Sequence, residues 1–195
     1  MLRGDHDSLN PLEGCADLSR SIQHFPMATT NPFVRVADRY AEVPPRLRRP
    51  LVTKAIGEVI PFVETAGCFV EAYTPRRVAV RLDNEEATQN HLGGLHAAAL
   101  ALLAETASGL VVALNVPDGS SPLLRTMDVS FDEFARATVQ SEATLTDEQA
   151  SQIRARPLGQ VEVDVTLTAP DDGTTLVSGS LKWAWVPEDR LSEAS

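Results

Sequence analysis

The feature that most constrains the fold is an unbroken run of Ala and Leu over residues 97–104, followed at once by Glu105. Both residue types have high helix propensity, and because the run has almost no polar face it predicts a helix buried on nearly all sides. A carboxylate on such a helix is costly unless it is paired, protonated or used in chemistry. The run therefore predicts a central helix with a functional carboxylate, Glu105.

A polar turn that contains glycine leads into this helix. Residues 90–96 include Gly93 and Gly94 and end at His96. Glycine permits close approach of backbone, and the first N–H groups of a helix have no partner within it. Those around His96 and Ala97 are suited to bind a developing oxyanion, aided by the helix dipole. The turn and Glu105 together predict a carboxylate and an oxyanion site built around one helix.

Two further helices are predicted before the turn. Apolar residues recur with helical spacing in segments 33–42 and 50–60. Pro44 and Pro45 separate the segments, because consecutive prolines cannot continue a helix. Pro50 suits the first turn of the second helix.

The remaining pattern predicts strands on both sides of the central helix. The central helix is expected at roughly 93–108, with Gly109 ending it. Thr146 and Gln149 have the spacing of a capping box and predict a short helix between strands. Short alternating or continuous apolar runs predict strands at 68–73, 78–82, 110–116, 123–134, 137–145, 160–168 and 175–186.

This order predicts an α+β fold in which one antiparallel sheet of six or seven strands wraps around one central helix, with helices at the N-terminal side. Small Ala side chains would let a curved sheet close tightly on the helix. Residues 31–187 are predicted to form a single domain. Residues 1–30 show no clear period and are predicted to be a loose extension, and residues 188–195 a C-terminal tail.

Composition narrows the classes of function. A net charge of −10 argues against general binding of nucleic acid. No apolar run approaches the ~18 residues needed to span a bilayer, and the N-terminus has no apolar signal core, so we expect a cytoplasmic protein. Cys15 and Cys68 provide no disulfide framework or metal-ligand spacing. The four histidines do not pair, so neither a metal ion nor a cofactor is predicted.

One pattern also resembles a known family. Asn90, Gly94, His96 and Glu105, followed by Gly109, are similar to the motif of the hotdog-fold acyl-CoA thioesterases of the phenylacetyl-CoA type. That family has Asn, a turn containing Gly, His-Gly-Gly, and then an acidic residue on the central helix. The resemblance covers roughly residues 60–187 and implies the hotdog fold. Within the hotdog proteins, the chain resembles most closely a poorly characterised branch that carries Glu on the central helix.

Three positions depart from the family pattern. The acidic residue is Glu105 rather than the commoner Asp, and Ala97 and Ala98 replace the two glycines after the histidine. Many members carry Ser or Thr near the start of the strand after the helix, where this chain has Leu124, with Thr126 nearby. An Ala at position 97 still offers its N–H group, so that departure keeps an oxyanion donor.

The chemistry and the resemblance together favour a hydrolase of acyl-CoA or acyl-carrier-protein thioesters, since such a reaction needs a base or nucleophile and donors for an oxyanion. A non-catalytic protein that binds acyl thioesters is the alternative, which the Glu and Ala-Ala departures would explain. A hotdog hydratase or dehydratase is a weaker third possibility. The predicted catalytic residues are Glu105, His96 and Asn90, and the predicted substrate-binding residues are Gly94, Ala97 and Thr126.

Helix geometry constrains how this site is assembled. His96 and Glu105 are nine residues apart, which corresponds to about half a turn out of phase and an axial rise of ~13 Å. Within one chain they cannot meet at one reacting carbon. Two central helices packed antiparallel would bring His96 of one copy near Glu105 of the other. The sequence therefore predicts a homodimer or homotetramer with sites shared between subunits.

Overall fold

The computed structural model describes residues 31–192. The predicted loose extension at 1–30 lies outside the described residues, as do the last three residues of the predicted tail.

In the part of the chain that the structure describes, three helices precede the sheet: α1 (Pro32–Arg39), α2 (Pro45–Val59) and α3 (Pro61–Thr65). Each begins at a proline, whose fixed φ and missing N–H suit the first helical position. Pro44 and Pro45 separate α1 from α2, as predicted. The prediction for Pro50 was wrong, because α2 begins at Pro45 and Pro50 lies inside it.

The sheet has six antiparallel strands in the order β1-β2-β4-β5-β6-β3. The chain crosses from β2 to β3 through the central helix, so β3 lies at the edge opposite β1. This edge position leaves one side of the long strand β3 without a partner in the sheet. The strands are β1 (Phe69–Thr74), β2 (Arg77–Leu82), β3 (Ser120–Phe131), β4 (Val139–Thr144), β5 (Gly159–Thr168) and β6 (Thr175–Pro187).

The predicted central helix is confirmed as α4 (Ala97–Ala113), and the sheet wraps around it. Its predicted boundaries were wrong at both ends. It does not end at Gly109, and the predicted strand at 110–116 does not form, because α4 continues to Ala113 and a turn follows. Leu110, Val111 and Val112 are buried, and a run that is apolar on every side fits a buried helix as well as a buried strand. The sheet therefore has six strands rather than seven.

Alternation along the strands places one face against α4. In β5, Val163, Val165 and Leu167 are at most 2% exposed, whereas Asp164 and Thr166 between them are exposed. This is the period of two that a half-buried strand requires. The core therefore lies between the concave face of the sheet and α4.

Two short helices complete the described chain. Thr146 caps α5 (Asp147–Arg154), and its hydroxyl accepts a hydrogen bond from the Gln149 N–H while the Gln149 side chain returns to the Thr146 N–H. The predicted capping box is thus confirmed. Helix α6 (Glu188–Ser192) occupies the start of the predicted tail. None of the helices within residues 31–192 has both the length and the hydrophobicity needed to cross a bilayer.

Candidate functional site

The turn before α4 is organised by Asn90. Its side-chain oxygen accepts hydrogen bonds from the N–H groups of Leu92 (2.8 Å) and Gly94 (3.4 Å), and its amide nitrogen donates to the Leu95 carbonyl (3.3 Å). Gly93 has a φ of 76°, in the left-handed region where glycine is the favoured residue. Asn90 therefore uses its whole amide group to shape the turn.

Gly94 is required by packing. A Cβ at this position would lie 2.5 Å from the Phe134 ring and 2.6 Å from the Ala135 carbonyl oxygen. The space that the missing side chain leaves is filled by Phe134, over whose ring the Arg136 guanidinium lies at 4.7 Å. Gly94 therefore lets the turn pack closely against the loop that precedes β4.

His96 is the N-cap of α4. Its Nδ1 accepts a hydrogen bond from the Ala98 N–H (3.0 Å), and its own N–H donates to the Thr88 carbonyl (2.8 Å). Because Nδ1 accepts this hydrogen bond, the proton of the neutral imidazole ring is assigned to Nε2. The Nε2–H group is therefore a hydrogen-bond donor. Of the N–H groups at this end of the helix, that of Ala97 has no partner among the described residues.

Part of α4 is left uncovered by the described residues of the chain. Ala97 and Ala98 are exposed, and Leu102 and Glu105 are partly exposed, whereas Leu103 and Ala104 are fully buried. Ala98, Leu102 and Glu105 follow the i, i+4, i+7 spacing of one helix face. We call these three residues the open stripe of α4.

Glu105 lies half-buried at a cavity of about 260 Å³ whose wall is mainly apolar. Burial raises the pKa of its carboxyl above the ordinary value of 4.5, because removal from water disfavours the charged form. The pKa of the Cys68 thiol is raised to about 11, mainly because the thiol is buried. The nearby Glu105 carboxylate raises the pKa of this thiol further, because the two negative charges repel each other.

Residues from five separate elements or junctions form the rest of this wall. Phe33 comes from α1, Ile60 from the junction of α2 and α3, and Trp183 from β6. The Trp183 Nε1–H donates to the Ser108 hydroxyl (3.1 Å), which itself donates to the Ala104 carbonyl (2.9 Å) and so fixes the indole ring. The complete lining is Phe33, Ile60, Glu105, Thr106, Gly109, Leu110, Ala113, Ser121, Pro122 and Trp183.

Sequence reasoning missed Phe33, Ile60 and Trp183 as wall residues, because they approach Glu105 only through tertiary packing. Gly109 carried a usable signal, since a glycine inside a strong helix pattern usually has a packing reason. A Cβ on Gly109 would lie 2.7 Å from the Trp183 ring. Thr106 is 2% exposed and its hydroxyl has no hydrogen-bond partner among the described residues.

The structure does not bring all the predicted site residues together. His96 lines a different cavity of about 310 Å³, which includes Phe62 and Leu102, and Glu105 is not part of its lining. Thr126 pairs with Lys182, and its neighbour Met127 pairs with the buried Leu181. Thr126 therefore points away from α4 and lines neither cavity. Within the described chain, no group of three His, Cys, Asp or Glu side chains is arranged to hold a metal ion.

Comparison with known proteins gives a family match and several solved relatives. Residues 48–186 match a family described as "Domain of unknown function (DUF4442)". No protein of curated function matches the chain.

Three solved structures illustrate the structural similarity. PA5026 from Pseudomonas aeruginosa, described as a protein of unknown function and "Probable Thioesterase", is 24% identical with a TM-score of 0.61, over 74% of this chain and 97% of that one. Thioesterase HI1161 from Haemophilus influenzae is 14% identical with a TM-score of 0.58, over 69% and 90%. A thioesterase family protein from Silicibacter pomeroyi is 15% identical with a TM-score of 0.57, over 69% and 96%. Together with the sheet wrapped around α4, these similarities show the hotdog fold.

Proposed function

The chain belongs to the DUF4442 family, and we propose that this member is a thioester hydrolase that acts on acyl-CoA or acyl-carrier-protein substrates. The observation that carries the proposal is Glu105, a half-buried carboxylate with a raised pKa at the wall of an apolar cavity. A perturbed carboxyl in a largely apolar cavity is the usual mark of a functional site. The names of the solved relatives agree with this reaction.

Glu105 has two ways to cleave a thioester. As a general base it takes a proton from water, whose oxygen attacks the carbonyl carbon; as a nucleophile its own oxygen attacks, and water then hydrolyses the resulting anhydride. In both cases the C–S bond breaks and the sulfur leaves as a thiolate that is protonated to the thiol. The raised pKa makes the carboxylate a stronger base than an exposed Glu.

The N-terminus of α4 supplies donors for the oxyanion. Among residues 31–192, neither the Ala97 N–H nor the Nε2–H of the exposed His96 ring has a hydrogen-bond acceptor. Two donors of this kind stabilise charge that develops on a carbonyl oxygen, and the helix dipole adds to them. His96 therefore acts in this proposal as a hydrogen-bond donor rather than as a base.

The donors and the carboxylate come from different copies in this proposal. In one chain His96 and Glu105 line separate cavities. The open stripe of α4 and the unpaired edge of β3 together present the surface on which a second copy would place its own α4. A two-fold axis then creates two composite sites, each with His96 from one subunit and Glu105 from the other.

The other predicted site residues receive more limited roles. Asn90 and Gly94 are positioning residues, because both are fully engaged in shaping the turn that presents Ala97. Of the predicted substrate-binding residues Gly94, Ala97 and Thr126, Ala97 is the one that contacts the substrate in this proposal. Thr126 would contact substrate only at a site that a second copy completes beside β3.

A non-catalytic acyl-thioester-binding protein is the second candidate. One observation favours it: the His96 N–H and the Ala98 N–H both have acceptors within the chain, so that among the described residues the Ala97 N–H is the backbone donor left at this helix end for an oxyanion. Such a protein would bind acyl-CoA and release no thiol.

A thiol-release assay with a panel of acyl-CoA and acyl-carrier-protein substrates tests the proposal. We expect turnover, and we expect Glu105→Gln to lower kcat by roughly 100-fold or more, as for loss of a general base. Glu58→Gln makes the same change at an exposed position of α2 and should leave kcat within about twofold. Binding of acyl-CoA without thiol release would favour the second candidate, and unchanged turnover in Glu105→Gln would remove Glu105 from the mechanism.

A further inference from the structure

Helix α2 keeps part of its apolar surface out of the core. Its buried face is formed by Val52 and Ile56, which are at most 2% exposed. Leu47 and Leu51 lie on a different side of the helix, where they are 62% and 41% exposed. The two leucines are four residues apart and therefore adjacent on the helix surface. The packing of α2 against the rest of the described chain thus leaves two neighbouring leucines uncovered.

The same helix is rich in positive charge. Residues 45–57 include four basic residues and no acidic one, in a chain with 27 acidic and 17 basic residues. Two of the four are used within the chain. Arg48 donates to the Ala41 carbonyl (2.8 Å), and Arg49 pairs with the Glu71 carboxylate (2.8 Å).

The other two basic residues of α2 lie beside the exposed leucines. Arg46 and Lys54 are exposed, and neither forms an ion pair with another described residue. Arg46 precedes Leu47 in the first turn, and Lys54 follows Leu51 by three residues, which places it on the same side of the helix. We call this surface the basic-apolar face of α2, and it consists of Arg46, Leu47, Leu51 and Lys54. Two leucines between two unpaired cations are complementary to a surface that is apolar at its centre and acidic around it.

A protein partner suits the basic-apolar face better than an anionic membrane does. A helix that lies in a membrane surface needs a large apolar face to bury among the lipids, whereas this face has two leucines. The net charge of −10 would also oppose the approach of the whole chain to an anionic bilayer. A small apolar centre with a charged rim is instead the usual composition of an interface between proteins.

Helix α2 leads from this face to the candidate site. Ile60, the residue after the helix, is partly exposed and lines the cavity beside Glu105. Leu51 and Ile60 are nine residues apart, which corresponds to ~13 Å along a helix axis. A partner on the basic-apolar face would therefore lie outside the cavity and would have to present its thioester on an arm.

We propose that the basic-apolar face of α2 binds an acidic helix of a carrier protein, which presents the acyl thioester to the Glu105 site on its phosphopantetheine arm. Carboxylates of that helix pair with Arg46 and Lys54, and its apolar side chains cover Leu47 and Leu51. Free acyl-CoA has no such helix. This inference rests on the proposed function, and it selects the carrier protein from the two substrate classes named there.

Binding without turnover gives the first test. A purified type II acyl carrier protein in its holo form, which bears no acyl group, is titrated into the full-length protein by calorimetry at ~0.15 M salt. We expect binding that weakens as salt is added. The double variant Arg46→Glu, Lys54→Glu should weaken it by about tenfold or more, because like charges then face each other. Glu in the first turn of a helix is favoured by the helix dipole, so this variant is expected to fold.

A matched control separates the position of the charges from their number. Arg156→Glu, Lys182→Glu makes the same change of charge at exposed positions outside α2. Because distant charges are screened at this salt concentration, it should leave the affinity within about twofold.

Turnover gives the second test. kcat/KM is measured with octanoyl carrier protein and with octanoyl-CoA. Arg46→Glu, Lys54→Glu should lower the carrier-protein value by about tenfold or more and leave the CoA value within about twofold. Leu47→Ala, Leu51→Ala should lower the carrier-protein value alone, by about fivefold or more. General damage to the fold or to the site would lower both values, so their ratio is the informative quantity.

The outcomes separate this inference from the proposed function. Binding of the holo carrier protein that the charge reversal weakens, with no thiol release from either thioester, would overturn the hydrolase and support the docking face. Thiol release with a ratio that neither double variant changes would overturn the docking face and leave the hydrolase standing. The docking face would also be overturned if the charge reversal abolished binding to phosphatidylglycerol vesicles, or lowered the oligomeric mass in native mass spectrometry, and left carrier-protein binding unchanged.

Discussion

Burial opposes the charge of Glu105, and the effect on stability has a definite sign. The folded-state pKa is raised above the ordinary value of 4.5, so in the interval above that value the folded state holds its proton more tightly than the unfolded state does. Stability from this group is therefore fully present below about pH 4.5 and is lost as the pH rises through the folded-state pKa. Burial of the Glu105 carboxyl therefore weakens the fold at neutral pH, as is common for functional residues.

We therefore predict that Glu105→Gln stabilises the protein at pH 7 while it lowers kcat by roughly 100-fold or more. An uncharged amide avoids the desolvation of the carboxylate, and an increase in Tm of about 2–4 °C is expected for a chain of this size. Calorimetry at pH 7 and pH 4 checks this, because the gain should shrink at pH 4. Glu58→Gln should change Tm little at either pH, and a lower Tm for Glu105→Gln at pH 7 would contradict the desolvation argument.

His96 combines a structural and a chemical role that two substitutions can separate. Asn is a strong N-cap and can accept the Ala98 N–H in place of Nδ1, but its side chain is too short to replace Nε2–H. We expect His96→Asn to retain stability and to lose activity by about tenfold or more. His96→Ala should lose the same activity and also about 1 kcal/mol of stability. Wild-type turnover in a well-folded His96→Asn variant would limit His96 to capping.

At the scale of elements, the sequence correctly predicted the helices and strands whose formation depends on a local residue pattern. Strand β5, which alternates strictly, was found near its predicted bounds, and α5 begins at its predicted cap, because alternation and capping act within a few residues. The prediction of a strand at 110–116 was wrong because an apolar run with no polar face does not distinguish strand from helix. Packing against the sheet determines that this segment is part of the helix α4 and not a strand.

The same distinction between local pattern and tertiary packing separates the predicted residues of the candidate site from the residues that were missed. Glu105 and the turn at 90–96 could be predicted, because an isolated carboxylate and a glycine pair stand out in their local sequence. Phe33 and Trp183 could not, since each is more than seventy residues from Glu105 in sequence and reaches the cavity only through α1 and β6. The hydrogen bonds of the Asn90 side chain and of the His96 N–H could not be predicted either, because the sequence alone does not say which groups lie next to them.

Gly109 shows tertiary packing overriding helix propensity, and this can be measured. In an exposed helix interior, Gly→Ala stabilises by roughly 0.5–1 kcal/mol. Here the added Cβ would lie 2.7 Å from the Trp183 ring, so we expect Gly109→Ala to be destabilising in chemical denaturation. Trp183→Phe removes the atoms that the Cβ would meet, and the double variant should lose less than the sum of the two single changes. Strict additivity would show that Trp183 is not the cause.

At the scale of the whole molecule, the edge of β3 and the open stripe of α4 are two surfaces that no other part of residues 31–192 covers. A long unpaired edge is prone to pair with another strand, and proteins usually cover or charge such an edge. Met127 and Val129 on β3 are partly exposed hydrophobic residues on the side of the sheet that faces α4. A second copy that pairs along β3 would cover this edge and bring the two α4 helices together.

Complementation between two inactive variants tests this assembly. In a heterodimer of His96→Ala with Glu105→Gln, one composite site carries both substitutions and the other carries neither. Equal amounts that re-associate at random give half heterodimers, so about a quarter of the wild-type activity should return. Native mass spectrometry measures the heterodimer fraction, and mixing each variant with itself is the control. If heterodimers form and activity stays at the level of the parents, His96 and Glu105 do not share a site across the subunits, and the donors for Glu105 must come from its own chain.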